Sequence, residues 1–222
     1  MKYLSVVKKI HSHGILIGNG IKDPIISERM NCYGYTREKM EQAGLMHQEM
    51  EHVNRQNHLK HGDYDNFKNK LKKAKKAFHK AYMVDLEFAR IALARQPLLL
   101  DRVGASGRRQ KAVAAYFLEA EWFYHALAED ESLLKKMAVY GYTKETILQR
   151  QKEIEKIYRL MEQKIRASGE AQHSTQVRNR KLRELDRWVS EYKKVARLAF
   201  RDDPQYLEKL GIVVKSVTRR KD

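Results

Sequence analysis

Apolar positions in the last third of the chain recur at helical spacing. Ile147, Ile154, Ile157, Met161 and Ile165 fall on one stripe, and Leu182, Leu185, Trp188, Val189, Tyr192, Val195, Ala196 and Ala199 trace another. Residues three, four and seven apart share one face of an α-helix, so each stripe predicts one amphipathic helix. With Gly169 ending the first, the pair is expected to fold back as an antiparallel hairpin. The first half predicts a second hairpin, with helices near residues 37–61 and 65–95. Between them, Val113, Tyr116, Phe117, Ala120, Phe123, Tyr124 and Leu127 make residues 108–130 apolar around much of their circumference. That predicts a buried helix between the two hairpins. Its counterpart would be residues 3–20, where Gly14, Gly18 and Gly20 each weaken a helix by roughly 1 kcal/mol.

The two halves share more than periodicity. Tyr33-Gly34-Tyr35-Thr36 recurs 107 residues later as Tyr140-Gly141-Tyr142-Thr143, and the same offset carries Glu38 to Glu145, Gly62 to Gly169, Pro97 to Pro204 and Gly104 to Gly211. This predicts one helical repeat over residues 1–104 and a second over 105–222. Thr36 and Thr143 are placed to cap the long helices with a hydroxyl. Tyr35 with Met40, and Tyr142 with Ile147, then occupy the positions of a hydrophobic staple. Each hairpin is followed by a short element opened by Pro97 or Pro204 and closed by Gly104 or Gly211. Leu98, Leu99 and Val103, or Tyr206, Leu207 and Leu210, are expected to cover the bundle end. Starts of the YGYT type and endings like Leu207-Glu208-Lys209-Leu210-Gly211 resemble uncharacterised bacterial all-helical proteins with tandem repeats. The resemblance spans both copies and implies an all-α fold without an activity.

Composition agrees with a bundle: 42% hydrophobic, 33% charged and three prolines among 222 residues leave room for long helices. One cysteine, Cys32, cannot form an internal disulfide, and no signal-peptide pattern opens the chain, so the expected location is the cytoplasm. No run approaches the roughly 20 apolar residues of a membrane span. The net charge of +17 favours anionic partners. Val213 to Asp222, with Lys215, Arg219, Arg220 and Lys221, is expected to be a basic tail.

Where the copies disagree, chemistry enters. The offset places His47 opposite Ile154, Glu51 opposite Tyr158, Asn54 opposite Met161, His58 opposite Ile165 and Asp85 opposite Tyr192. Burying such groups unpaired costs several kcal/mol, roughly 2–7 for a polar group. Either the first helix is rotated outward, with Met40, Met46, Met50 and Val53 as its apolar stripe, or these groups satisfy one another, or they hold something. In the last case His47 and Glu51, one turn apart, with His79 from an antiparallel partner, offer ligands for Zn, Fe or Mn. Glu49 and His52 have the Glu-x-x-His spacing of di-iron bundles, but the second copy has Lys156 and Arg159 there, so that pattern is half present. No cofactor is otherwise implied.

Lys68, Lys70, Lys72, Lys73, Lys75, Lys76 and Lys80 crowd the start of the second predicted helix, and Arg178, Arg180, Lys181, Arg183 and Arg187 the equivalent stretch of the second copy. Positive charge near a helix N-terminus opposes the macrodipole, so stability alone does not favour either run. A basic surface presented twice fits an acidic protein or the phosphates of a nucleic acid, and equally a solvated helix face. No glycine-rich phosphate cradle is present: Gly104-Ala105-Ser106-Gly107 lacks the lysine and hydroxyl of a P-loop and reads as a linker. Glu119, Glu121 and His125 do not share one helix face. The reading is an all-α tandem of hairpins in an up-and-down bundle, non-enzymatic, a scaffold or binding module with a basic face. Sequence-independent nucleic-acid binding, or a metal- or ligand-holding seam in the first repeat, are its alternatives.

Overall fold

The computed structural model describes residues 2–213, and these form an all-α helical bundle; the basic tail expected beyond residue 213 lies outside them. The elements are α1 (Lys2–Lys22), α2 (Pro24–Asn31), α3 (Arg37–Ala92), α4 (Pro97–Arg102), α5 (Val113–Glu129), α6 (Glu131–Ala138), α7 (Lys144–Ala199) and α8 (Pro204–Lys209). The bounds of α2, α3 and α4 recur 107 residues later in α6, α7 and α8, and α5 corresponds to residues 6–22 of α1. The glycines of residues 3–20 therefore sit inside a helix.

Each YGYT segment is a stop and a start joined in four residues. Gly34 and Gly141 adopt φ +80 and +83, a left-handed conformation that side chains with a Cβ resist. Their amides bond Asn31 and Ala138, while those of Tyr35 and Tyr142 reach back to Met30 and Met137, closing the preceding helix. The next residue opens the following one: Thr36 Oγ1 accepts from the Lys39 amide at 3.4 Å and Thr143 Oγ1 from that of Thr146 at 3.3 Å. Tyr35, Tyr142, Met40 and Ile147 are all buried, as a staple requires.

The hairpin turns are corrected. Arg37–Ala92 and Lys144–Ala199 are each 56 residues of uninterrupted helix, with Gly62 and Gly169 inside them. Antiparallel pairing is still present, but between α3 and α7. In one compact unit (Met1–His61 with Glu170–Asp222), Glu49, Asn57 and Lys60 of α3 meet Lys181, Ser174 and Glu170 of α7. In the other (Gly62–Gly169), Asp85 and Phe88 meet Arg150 and Tyr142. The chain thus divides at 61/62 and 169/170, whereas the repeats expected from the sequence meet at 104/105. We call these units 1 and 2. The α5 helix belongs to unit 2, not between two hairpins.

Unit 1 buries Leu16, Ile26, Met30, Met50, Leu185, Val189, Tyr192 and Phe200; unit 2 buries Phe78, Tyr82, Leu86, Phe117, Phe123, Tyr124, Ile147 and Ile154. The apolar stripe of α3 in unit 1 is the one through Met40 and Met50, which leaves the histidine seam at its border. Three expected core residues are not core: Leu98, Val113 and Ile165 are exposed. No helix of the described residues is long and apolar enough to cross a membrane.

The glycines of α1 permit close packing. A Cβ on Gly14 would lie 2.7 Å from His47 Nε2, and one on Gly20 would lie 2.7 Å from Met40 Cε and 2.8 Å from the Tyr192 hydroxyl. Around Gly62 and Gly169 a Cβ meets nothing within 4 Å. Alanine at 62 or 169 is expected to raise stability by about 0.5–1 kcal/mol, since the helix gains propensity without a clash. Gly20→Ala is expected to lower it by about 1–3 kcal/mol through overpacking. Urea melts of the three variants check this, and a loss at 62 or 169 would restore the hairpin turns.

Candidate functional site

The residues proposed as metal ligands are placed apart. His47 Nε2 bonds the Ile10 carbonyl at 3.0 Å in unit 1, while His79 Nδ1 meets the Tyr116 hydroxyl at 2.7 Å in unit 2. Glu51, His52 and His58 are exposed, and Glu49 pairs with Lys181 at 2.9 Å. Among the described residues no group of three or more His, Cys, Asp and Glu side chains could hold a metal. The expected approach of His79 to His47 assumed the hairpin, and the uninterrupted α3 removes it.

Asp85 is the polar seam residue that is fully enclosed, at 2% exposure. Continuous helix places it in the middle of unit 2, where α5, the start of α7 and the second YGYT joint converge on it. It accepts from the Tyr124 hydroxyl at 2.6 Å, the Tyr142 hydroxyl at 2.7 Å and Arg150 Nε at 2.9 Å. Arg150 also meets Glu153 at 3.3 Å. Burial, reinforced by the Asp85 carboxylate, holds both phenols well above their ordinary range. With both carboxylate oxygens engaged and both phenols buried, the carboxylate is closed off and satisfied, and only Arg150, 23% exposed, reaches the surface.

Unit 1 solves the same position differently. Tyr192 stands 107 residues after Asp85, stacked on Trp188 and edge-on to Tyr35, with its hydroxyl buried and unpartnered. The corresponding neighbours are Ile17, Tyr35 and Ala43, so the partners changed with the residue. A second polar site, His13 bonded to Asp186 at 2.7 Å with Lys9 on the same carboxylate, escaped sequence reasoning. Burial lowers the His13 pKa against the pull of Asp186. Its counterparts are Ala120, His79 and Tyr116; only comparison of His13 with Ala120 at the repeat offset carried a signal.

The two basic runs, equivalent in sequence, are not equivalent in the fold. Both lie in mid-helix, so the macrodipole argument does not apply to them. In unit 1, Arg178 bonds the buried Asn57 at 2.8 Å and Lys181 pairs with Glu49, leaving Arg180, Arg183 and Arg187 exposed. Asn57 in turn donates to Ser174 and Thr175 at 2.9 and 3.0 Å, so part of this run is structural. In unit 2, Lys68, Lys70, Lys72, Lys73, Lys76 and Lys80 are exposed and Lys75 is half-buried. Among the described residues none of the seven pairs with a carboxylate; Lys68 and Lys70 instead lie 5.7 and 5.8 Å from the Tyr64 and Phe67 ring centres. No acidic residue occurs between Asp65 and Asp85.

Beside this lysine face is a cleft of about 300 Å³ lined by Lys75, His79, Arg109, Lys111, Val113 and Tyr116, with Phe117 and Gln110 completing it. Its wall is fixed by Arg109, which pairs with Glu119 at 3.0 Å and donates to the carbonyls of Gly104 at 2.6 Å and Ser106. Arg90 binds the Ala105 carbonyl at 2.9 Å. The 104–107 loop thus turns carbonyls onto guanidinium groups and cradles no phosphate. Glu121 meets the Tyr158 hydroxyl at 3.4 Å and His125 meets Glu129 at 3.2 Å, so neither joins Glu119 in an acid–base pair. No family model, curated protein or solved structure matches the chain.

Proposed function

We propose that the protein is a non-enzymatic binding module that takes nucleic acid through its phosphates on the lysine face of α3 in unit 2. The observation carrying this reading is the run of exposed, unneutralised lysines from Lys68 to Lys80. Lys68, Lys72 and Lys76 recur every four residues, giving a positive charge about every 6 Å along one side of the helix. No large apolar side chain is exposed between residues 60 and 83. An extended protein partner would be met by a broad apolar or aromatic centre with charges at its rim, whereas α3 here offers a row of charge along the helix, which is what phosphate tracking needs. The Asp85 cluster, whose carboxylate is enclosed and fully engaged, favours a structural role over catalysis. We take the two halves to be copies of one segment, of which the first kept a free basic run, and the compartment to be the cytoplasm, on the lone Cys32.

Binding through phosphates releases counterions, so affinity falls steeply with salt and varies little with sequence. If about four phosphates are neutralised, anisotropy of a labelled oligonucleotide is expected to report a loss of about a hundredfold between 50 and 200 mM salt. Reversal of three charges (Lys72→Glu, Lys73→Glu, Lys76→Glu) is expected to flatten that slope by almost three, since each phosphate-contacting lysine contributes about one. The same reversal at Arg180 and Arg183 leaves it nearly unchanged. Absence of binding at 50 mM salt, or equal affinity for polyglutamate of the same length, overturns the reading.

A further inference from the structure

The cleft beside the lysine face adds a second kind of recognition to the charge track. Val113, Tyr116 and Phe117 give it an apolar floor, while Lys75, His79 and Lys111 stand at its rim. Lys75 belongs to both features: it continues the α3 run and lies 5.9 Å from the Phe117 ring centre. Tyr116 is half-buried and oriented by the hydrogen bond to His79 and by edge contacts with Tyr82 and Phe117. The opposite wall is held by Arg109, whose side chain is 9% exposed, and by the Gln110 amide donating to Glu119 at 3.2 Å. The cleft is therefore built before any ligand arrives.

Unit 1 supplies the comparison. The positions matching Lys75, His79, Tyr116 and Phe117 are Leu182, Asp186, Lys9 and Ile10. There Lys9 bonds Asp186 at 2.5 Å across the site, and the aromatic floor and cationic rim are absent. The feature belongs to the unit with the free lysine run and not to the other.

An apolar floor in which the half-buried Tyr116 ring offers the aromatic surface, with cations at its edge, fits a planar ring carried on an anionic backbone. In duplex nucleic acid the bases are stacked inside and cannot enter such a cleft, whereas an unpaired base can leave the strand and stack on an aromatic ring. We propose that this cleft seats one unpaired base of the strand held by the lysine face, so that the protein prefers single-stranded to duplex nucleic acid. The inference rests on the phosphate-binding reading and goes beyond it in naming the strand form.

Anisotropy of a labelled 15-nucleotide strand, alone and annealed to its complement, tests it at one salt concentration. The single strand is expected to bind at least about fivefold more tightly, the smaller end of what one stacked base contributes. Val113→Asn, at an exposed helix start, and Tyr116→Ala are each expected to bring single-strand affinity down toward the duplex value without changing the salt slope. Tyr116→Phe is expected to keep it. A 2-aminopurine strand should lose fluorescence on binding, and Tyr116→Ala should abolish that loss; thermal melts of the variants verify folding. Equal affinity for both strand forms with a steep salt slope overturns the base seat and leaves the lysine face standing. Unchanged single-strand affinity and quenching in both Val113→Asn and Tyr116→Ala do the same. No binding of either form at low salt removes both.

Discussion

Replacing Asp85 with alanine is expected to destabilise the protein by about 3–5 kcal/mol, the cost of leaving a buried charge network without its acceptor. The carboxylate takes three donors, and without it two phenols on buried rings and a largely covered guanidinium lose their partner. Each orphaned donor costs roughly 1–3 kcal/mol when water cannot replace the bond, with Arg150 at the low end because its side chain is 23% exposed. Asp85→Asn is a sharper probe. Its oxygen still accepts, but its NH2 group turns a donor toward donors, so a loss of about 1–3 kcal/mol is expected although the shape is conserved. A combined variant with Asp85→Leu, Tyr124→Phe, Tyr142→Phe and Arg150→Met removes every polar member and is expected to recover most of the stability. Urea denaturation measures all three. If Asp85→Ala melts like the parent, water reaches the site and the closed network is wrong.

The same position shows why one residue cannot be exchanged between the two units alone. Putting a tyrosine at 85, as unit 1 has at 192, would aim a phenol at the position equivalent to Gly20, which in unit 2 is the buried Leu127. Unit 1 accommodates Tyr192 by having no side chain there. The glycines of α1, which read as weaknesses in a helix, are the space that its larger neighbours occupy.

Helix existence, the short proline-opened elements and the two YGYT joints were legible because each rests on local chemistry: periodicity, a left-handed glycine, a hydroxyl cap. The hairpin turns were misread because Gly62 and Gly169 were treated like helix-ending glycines. A distinguishing sign was present. The glycines that do end helices, Gly34, Gly104, Gly141 and Gly211, are followed by Tyr35, Ala105, Tyr142 and Ile212, apolar residues that pack back on the helix just ended. Gly62 and Gly169 are followed by Asp63 and Glu170. That error propagated to the site. His47 and His79 were brought together by a turn that does not form, while Asp85, rightly singled out by its mismatch with Tyr192, had partners on α5 and α7 that only the true pairing supplies. The inequality of the two basic runs was half visible: acidic residues interrupt the second, at Glu184 and Asp186, but not the first. That Arg178 and Lys181 are held by Asn57 and Glu49 depends on which halves of the long helices lie side by side.

Alkaline pH is expected to unfold this protein well before its surface chemistry would suggest. Tyr124, Tyr142 and Tyr192 are buried, and burial raises each hydroxyl above the ordinary value of 10.0. Tyr116, half-buried, is pushed up to about 12. A phenol whose pKa is higher in the fold keeps its proton there while the unfolded chain releases it. Its contribution is therefore intact below pH 10 and is lost as pH climbs from there toward the folded value. At pH 11 each fully buried phenol should have given up about 1.4 kcal/mol, so the three together remove about 4 kcal/mol, a large part of the stability of an ordinary domain. Lysine deprotonation over the same range works the other way, because it relieves the repulsion of a chain with net charge +17. Tyr192→Phe separates the two effects. Its hydroxyl has no partner, so the variant should match or exceed the parent by up to about 1 kcal/mol at pH 8 while losing about 1.4 kcal/mol less at pH 11. Ellipticity and the tyrosinate absorbance that parent and Tyr192→Phe do not share, followed together from pH 8 to 11.5, should move in one transition, the buried phenol ionising as the helices melt. If that difference appears near pH 10 with the helical signal intact, the Tyr192 ring is open to solvent and the packing around it would have to be redrawn.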